Sequence, residues 1–566
     1  MSVLVVGGGP AGLSAALFLA GAGVAVSLLD RRAGTSTLPR ATHVTRRTME
    51  LLREAGLEPA VAAAGFEVVA GGDPRADTEP DRVLPRTVVG VSSLAGLDSA
   101  EVLETGDEEL AVPGPCPPYW CGQDRMEPLL RDAAVLAGAD VRFGHELTGL
   151  TVREDGVLAR VRRPDGGTDT LTARYLIAAD GAHGRIPEQI GIPRTGLGTV
   201  ASRTTILFRA DLTGLVKGRR FFMSMIENPG FSGAVMQLNQ EHTWAAAVES
   251  HAVGADGGPP DPDRCLALVR AAIGDPGIGV ELAGTLRWQA RHWVAERYRR
   301  GPVFLVGDAA HLHPPAGGYG SNMGIQDAHN LAWKIAAVLR GWAGPALLDT
   351  YDTERRPVGH ATAQQTLLLD GVPSERLGGV TTCDPRVIIM GYRYNSPAVP
   401  GRWAGSDSQA GPDEAFPRTF DLSGAPGTRL PYLPVRLLGA DRAPPVSTLD
   451  LFGPSRGAPH LTLLATDDRW RHTAAEVAGE LAVPVTAHTV VAGPGTSPAA
   501  FAESCGTGAG GALLVRPDGF VAWRAECAVP PPGAQRRRRL ASAVRSIVAR
   551  VPDRTENPPL TLRSGR

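Results

Sequence analysis

Short continuous apolar runs, helix-length apolar stretches and alternating segments divide this chain into recognisable elements. Residues 2–6 are an apolar run, glycines at 7, 8, 9 and 12 break it, apolar residues continue to about Ala22, and a second run covers 24–29. That order predicts a strand–helix–strand opening. Asp124-Arg-Met-Glu127 predicts a capping box, with Pro128 in the first turn of a helix that runs to about Leu136. Strand-like runs at 147–153, 157–163 and 168–179, separated by glycine turns, predict an antiparallel meander.

Residues 200–290 change character. Runs at 204–212, 221–227, 233–239 and 243–250 are β-rich and partly alternating, and a Gly/Pro loop at 254–262 closes the group. Residues 303–306 predict a buried strand. Ile325, Ala328, Ala332, Ile335 and Leu339 recur at helical spacing, with Gly341 where a C-cap belongs. Residues 397–434 are rich in Gly, Pro, Asp and Ser and read as a linker. Beyond it, runs at 461–466, 485–491, 511–515 and 521–524 around a helix near 473–481 predict a separate small α/β domain over 435–550. Residues 551–566 read as a flexible tail.

Composition then narrows the class. The 566 residues are 43% hydrophobic and 20% charged, which fits a folded soluble protein. A net charge of −2 argues against a nucleic acid as partner. No apolar run reaches the ~18–20 residues of a membrane span. The first 29 residues are apolar but lack a basic start and are broken by Gly7-Gly-Gly-Pro10, which argues against a signal peptide. Six scattered cysteines suit no disulfide scaffold, so a reducing cytoplasm is the expected setting.

Chemistry concentrates at three glycine-rich places. Gly7-x-Gly9-x-x-Gly12 follows a strand and opens a helix, and Asp30 ends the next strand. Gly7 allows the tight turn, Gly9 lets a pyrophosphate approach the backbone, Gly12 lets helix and strand pack, and Asp30 accepts from a ribose hydroxyl. A second match, Gly506-x-Gly508-x-x-Gly511, precedes a strand and reads as a loop. Asp308 stands at the C-terminal end of the 303–306 strand, where α/β sheets bind ligands. The loop Pro314-Pro-Ala-Gly-Gly-Tyr-Gly-Ser-Asn322 enters a helix and leaves backbone amides free for an anionic ligand edge.

These blocks carry a resemblance. Gly7–Gly12, Ala179-Asp180-Gly181 and Gly307-Asp308, in that order, resemble the FAD-dependent aromatic hydroxylases (class A flavoprotein monooxygenases). So do the block from Gly307 to Lys334, the block Leu348-Asp-Thr-Tyr-Asp-Thr-Glu-Arg-Arg-Pro357 and the C-terminal Gly511–Arg524. Arg40-Ala-Thr-His-Val and Arg47-Thr-Met-Glu-Leu-Leu-Arg53 bring the chain nearest to the hydroxylases that tailor aromatic polyketides. The resemblance implies an α/β fold (α+β overall). It has a Rossmann-like FAD-binding domain (1–195 with 290–396), an inserted β-rich substrate domain (200–290 with parts of 68–118) and a C-terminal thioredoxin-like domain (435–550).

The resemblance also implies roles. Gly7, Gly9, Ala11 and Gly12 would hold the FAD pyrophosphate and Asp30 the adenosine ribose. Arg31 and Arg40 would lie near adenosine or pyrophosphate, Gln123 would contact FAD, and the Leu147 backbone the adenine. Asp180 belongs to the motif implicated in FAD and NAD(P)H binding. Asp308 would accept from a ribitol hydroxyl, with Pro315 in the adjoining turn, and Gly320, Ser321 and Asn322 would offer amides to the flavin ring. Relatives usually continue Asp-Gly-Ala-x-Ser-x-Val-Arg. Here Gly184 and Pro187 stand in place of the Ser and Arg, which implies weak nicotinamide binding.

FAD would be bound non-covalently, NAD(P)H would be a transient co-substrate, and O2 would yield a flavin C4a-hydroperoxide that hydroxylates a small aromatic substrate, a polycyclic phenol or quinone of polyketide type. Baeyer–Villiger or ring-opening oxygenation by the same peroxide is one alternative, and flavin binding without oxygenase turnover another. Such a site must exclude water, and a proton acceptor for the phenol helps; His43 is the candidate. Phe222, Met225, Met236 and Tyr319 are candidates for the substrate pocket. His311-x-His313 reads as structural and no metal is expected. Cys116 and Cys121 read as packed thiols, and the thioredoxin-like domain, lacking Cys-x-x-Cys, as redox-inactive. A monomer or homodimer with no membrane partner is expected.

Overall fold

The computed structural model describes residues 1–70, 83–216, 221–238, 242–254, 258–401, 415–439, 444–453, 457–493, 495 and 497–549. The tail expected at 551–566 lies outside the described residues. A six-stranded sheet runs in the order Arg299–Arg300, Val303–Leu305, Tyr175–Ala178, Val3–Val6, Val26–Asp30, Asp140–Phe143. Its last five strands are parallel. Val3–Val6 is buried throughout, in a core shared with the helix Pro10–Gly21 and with Val157, Ala159 and Val161 of the meander, which is why its sequence is an unbroken apolar run.

The helices Pro10–Gly21 and Gly320–Leu339 cross at small residues. A β-carbon added to Gly324 would lie 2.8 Å from that of Ala11 and 3.1 Å from the Gly307 Cα. This close approach brings the N-termini of the two helices to the same end of the sheet.

Four sequence expectations change. The run at 168–179 is two strands in two sheets: Thr168–Ala173 closes the three-stranded meander, and Tyr175–Ala178 pairs in parallel with Val3–Val6. The change from alternating to continuous burial after Ala173 marks the switch. The loop at 254–262 does not close the β-rich group. Asp261 caps a helix Pro262–Ile273, and a strand Glu281–Ala295 follows, pairing along Arg194–Arg209. That strand passes through residue 290, where a domain boundary was expected. The expected capping box is also absent. The helix Gln123–Leu136 starts after Gly122 with no side-chain cap.

The β-rich part is an eight-stranded sheet ordered His311–Leu312, Glu281–Ala295, Arg194–Arg209, Thr243–Glu249, Phe231–Gln237, Met223–Asn228, Val88–Val91, Glu101–Glu104. One face buries Ile206, Phe208, Ile226, Phe231 and Val235 with Cys265, Val269 and Ile273 of the capped helix. The other face carries Met236, which packs with Phe222 and Trp120. The C-terminal sheet has Leu461–Ala465 parallel to Val485–Val491 and antiparallel to Ala512–Val515, with Val521–Ala525 beyond, a thioredoxin-like arrangement. All six cysteines are free.

The C-terminal region is tied into the body. Arg429, fully buried, donates to Glu50 through Nε at 2.8 Å and through Nη2. Arg47 donates to Glu50 at 3.0 Å and to the Asp518 carbonyl at 2.8 Å. The described part of the expected linker therefore packs against the body, with Phe416, Phe420 and Leu422 against the buried Tyr392 and Tyr394 cluster.

Candidate functional site

The glycine turn has no room for side chains at two positions. Gly7 sits at φ +113, and a β-carbon there would be 2.0 Å from the Ala179 carbonyl oxygen; one on Gly12 would be 1.9 Å from that of Gly7. The helix Pro10–Gly21 begins at Gly9 with no side-chain cap, so its first-turn amides are left for a ligand. Asp30 is buried. It accepts from the Gly8 amide at 2.6 Å and the Arg32 amide at 2.7 Å, and pairs with the Arg32 guanidinium at 3.0 and 3.1 Å. Arg32, not Arg31, is thus the partner of Asp30; Arg31 and Arg40 are exposed. Leu147 is half-buried on the strand Glu146–Val152.

Glu127 was not singled out from the sequence. It is buried, and accepts from Gln123 Nε2 at 2.6 Å and from the Ser36 amide at 2.5 Å. Its Oε1 lies 4.0 Å from where a Gly9 β-carbon would be. Gln123 and Glu127 therefore brace the turn from the side.

The second helix start is built in the same way. Gly320–Leu339 begins after Tyr319 with no side-chain cap, preceded by Gly317 and Gly318 at φ +78 and +70. The Asn322 side chain holds this turn. It donates to the His43 and Gly318 carbonyls, each at 2.8 Å, and accepts from the Thr45 amide at 3.0 Å. Beneath it, Asp327 accepts from the Gly307 amide at 3.0 Å and from Arg355 Nε at 2.7 Å, with His311 Nε2 at 2.7 Å. Asp308 has no hydrogen-bond partner for its carboxylate among the described residues. Burial pushes its carboxyl up from the ordinary value, against the opposing pull of His311 and His183.

One cleft joins the two helix starts. Pro10 lines it from the first, Ser321 and Asn322 from the second, and Ala41, His43 and Gln123 between them. Ala11 follows Pro10 in the first helix, and Pro315 precedes the Ala316–Gly318 turn; neither lines the cleft. His43 lies on the two-residue strand His43–Val44, paired with Trp120. Its Nε2 is 3.4 Å from Glu109 Oε2. Glu109 also accepts from Arg86 Nη1 at 2.5 Å and from the Arg46 amide at 2.8 Å. Burial would raise this carboxyl, but His43, Arg86 and the Arg46 amide hold it down at about 2. Neither Glu109 nor Arg86 carries a local sequence signal.

The expected pocket residues partly converge. Phe222 meets the Trp120 ring edge-on at 4.5 Å, and Met236 packs in the same cluster. Met225 shares the sheet face of Met236 through the Met223–Asn228 and Phe231–Gln237 register, and is 42% exposed. Tyr319 is buried in a different cluster, against Met323 and Tyr392.

Asp180 faces away from the glycine turn. Its Oδ2 accepts from the Ile186 amide at 3.0 Å, and a β-carbon on Gly184 would lie 2.2 Å from its carboxylate carbon. The carboxylate thus fills the space a serine side chain would need. His311 and His313 stack at 5.9 Å, and among the described residues no group of three or more His, Cys, Asp or Glu is arranged to hold a metal ion. Burial pushes the Cys121 and Cys505 thiols up to about 12. Among the described residues no helix is long and apolar enough to cross a membrane.

Comparison with known proteins agrees with this geometry. A family model described as "FAD binding domain" matches residues 1–366, and one described as "Aromatic-ring hydroxylase, C-terminal" matches 423–550. A tetracenomycin A2 monooxygenase-dioxygenase from Streptomyces glaucescens is 43% identical, with 97% of each chain covered. A tetracenomycin B2 monooxygenase-dioxygenase from Streptomyces olivaceus is 41% identical, over 94% of this chain and 96% of the relative. The crystal structure of aklavinone-11 hydroxylase with FAD and aklavinone superposes with a TM-score of 0.82 at 34% identity, over 97% of this chain and 99% of that one.

Proposed function

Because the chain belongs to the FAD-dependent aromatic-ring hydroxylases, we propose that it uses NAD(P)H and O2 to hydroxylate a polycyclic aromatic polyketide, a phenol or quinone. The observation that carries this reading is a cleft onto which two uncapped helix starts open, with Asp308, whose carboxylate has no hydrogen-bond partner among the described residues, at the same end of the sheet.

The residues present fit FAD. The amides around Gly9 suit its pyrophosphate, and Asp30, held by Gly8 and Arg32, presents a fixed carboxylate toward the ribose. Asp308 is a desolvated acceptor suited to a ribitol hydroxyl. The amides of Gly320, Ser321 and Asn322 suit the electron-rich edge of the flavin ring, and Asn322 fixes that turn against His43 and Thr45. Bound FAD supplies the reduction of dioxygen and the transfer of one oxygen atom.

The chain does the rest. His43 accepts the phenol proton, which makes the ring carbons more nucleophilic. Trp120, Phe222 and Met236 keep water from the reacting face. NAD(P)H binds transiently, since the glycine turn that could hold it is the FAD site. Residues 1–195 with 296–396 serve FAD, 200–295 with parts of 68–118 serve the substrate, and 435–550 braces both.

The test is turnover of a panel of aromatic polyketides with reduced nicotinamide and 18O2, read by product mass. One labelled atom per product, with the carbonyl count unchanged, supports hydroxylation. Two relatives named monooxygenase-dioxygenase favour a second reading, in which more than one oxygen atom enters the substrate; two or more labelled atoms would establish it.

A further inference from the structure

We propose that Glu109 is a positioning residue that fixes His43 as the Nε2–H tautomer, so that Nδ1 is the bare, proton-accepting nitrogen of the cleft. This rests on the proton-acceptor role of His43 proposed above.

The geometry argues for it from both sides of the ring. Nε2 is buried, has no hydrogen bond to any other group, and faces Glu109 Oε2 at 3.4 Å. An ionised carboxylate can only accept, so a lone pair on Nε2 would be repelled and a proton there is drawn toward Oε2. A contact of 3.4 Å is long for a hydrogen bond, so the carboxylate acts on Nε2 chiefly through its charge. Once Nε2 carries the proton of a neutral imidazole, Nδ1 has a lone pair. Nδ1 lies 3.5 Å from where a Gly318 β-carbon would be, beside the turn that leads into the second helix start. Among the described residues it has no hydrogen-bond partner.

Glu109 is itself held in place. Its other oxygen accepts from the Arg46 amide at 2.8 Å, and Arg86 Nη1 lies 2.5 Å from Oε2. Arg86 is locked in turn. A β-carbon on Gly106, at φ +63, would come 2.4 Å from its Cδ, so only glycine lets the side chain lie there. Arg86 balances the charge of Glu109, so the carboxylate orients a neutral ring without needing an imidazolium. When the substrate phenol loses its proton to Nδ1, the ring becomes imidazolium, and the Nε2–H contact to Glu109 strengthens. The proton leaves to solvent after product release, so no electrons move in this step.

Nitrogen NMR of the FAD-loaded enzyme labelled with 15N-histidine tests this without turnover. The His43 signals are assigned by their loss in His43→Gln. The expected result is an Nε2–H, Nδ1-bare tautomer in the wild type and a mixture of tautomers in Glu109→Leu, which leaves no acceptor for Nε2–H. A wild-type Nδ1–H tautomer would overturn the proposal, and this outcome needs no variant to fold. An unchanged tautomer in folded Glu109→Leu would overturn it as well. If the tautomers behave as expected but His43→Gln turns over like the wild type, the role of Glu109 in orienting the ring stands and the proton-acceptor role of His43 falls.

Discussion

Arg516 of the C-terminal domain meets Glu354 of the helix Thr350–Leu369 through two hydrogen bonds, at 2.6 and 2.9 Å, with both side chains fully buried. Lys334 donates to the same carboxylate at 2.8 Å, and Asp518 pairs with Arg516 from the other side. Burial would raise the Glu354 carboxyl, yet Arg516 and Lys334 hold it well below the usual range. The same burial, beside Arg516, brings the Lys334 ammonium down to about 8, although Glu354 resists the shift. The thioredoxin-like domain is thereby bolted to the helix Gly320–Leu339, whose first turn faces the cleft.

Breaking this cluster leaves a buried charge without its partner. Arg516→Met should therefore destabilise the protein by about 3–5 kcal/mol. Thermal melting of the holoenzyme checks this, and FAD release should follow the same transition. An unchanged melting temperature would show that the domains do not depend on this contact.

Asp308→Ala should weaken FAD retention by about 1–3 kcal/mol, because a buried acceptor for a cofactor hydroxyl is lost. Asn322→Ala should weaken it too, by freeing the Gly317–Gly318 turn from His43 and Thr45. Titration of the apoprotein with FAD, followed by flavin fluorescence, measures both. Wild-type affinity in Asp308→Ala would remove that contact from the account.

Stability should fall as the pH drops below about 6.5, the value of an exposed imidazole. Burial, with His360 beside it, brings His292 down to about 4; burial, with His311 and His292 beside it, brings His313 down to about 3. Both rings stay neutral in the folded chain while the unfolded chain takes up protons, so acid favours unfolding across that window. Denaturant titrations at pH 7 and pH 5 check the sign, and His313→Asn should flatten the difference. The depressed carboxylates, Glu109 among them, keep most of their stabilisation at pH 5 and lose it as the pH falls through and below the ordinary carboxylate value of about 4.

Gly184→Ser should not restore nicotinamide binding. The serine β-carbon would collide with the Asp180 carboxylate and break its bond to the Ile186 amide. The expected result is a lower melting temperature with no gain in the rate of anaerobic flavin reduction by NADPH. Faster reduction in a variant of unchanged stability would contradict this reading of the departure.

The elements around the cleft were legible because their signals are local. The apolar run of Val3–Val6, the glycines at 7 and 12 and the helical spacing after Asn322 each state their own conformation. Residues whose meaning depends on a distant partner were not legible. Glu109 acts on His43 from 66 positions away, and Glu354 is read only once Arg516, 162 residues on, is beside it. Arg47-Thr-Met-Glu-Leu-Leu-Arg53 carried the family resemblance without a reason. The fold supplies one, since Arg47, Glu50 and Arg53 reach Asp518, Arg429 and Asp450 of the C-terminal region. The Thr168–Ala173 and Tyr175–Ala178 strands were merged because both are strand-like; their pairing and the change from alternating to continuous burial separate them.

The central claim is oxygen insertion into an aromatic polyketide at this cleft, and the most direct measurement is product mass from the polyketide panel with reduced nicotinamide and 18O2. The account predicts a product carrying one 18O atom, formed by the wild type and strongly reduced, by on the order of 100-fold, in His43→Gln with FAD still bound. FAD-loaded enzyme that consumes reduced nicotinamide but leaves every aromatic substrate unlabelled would contradict it.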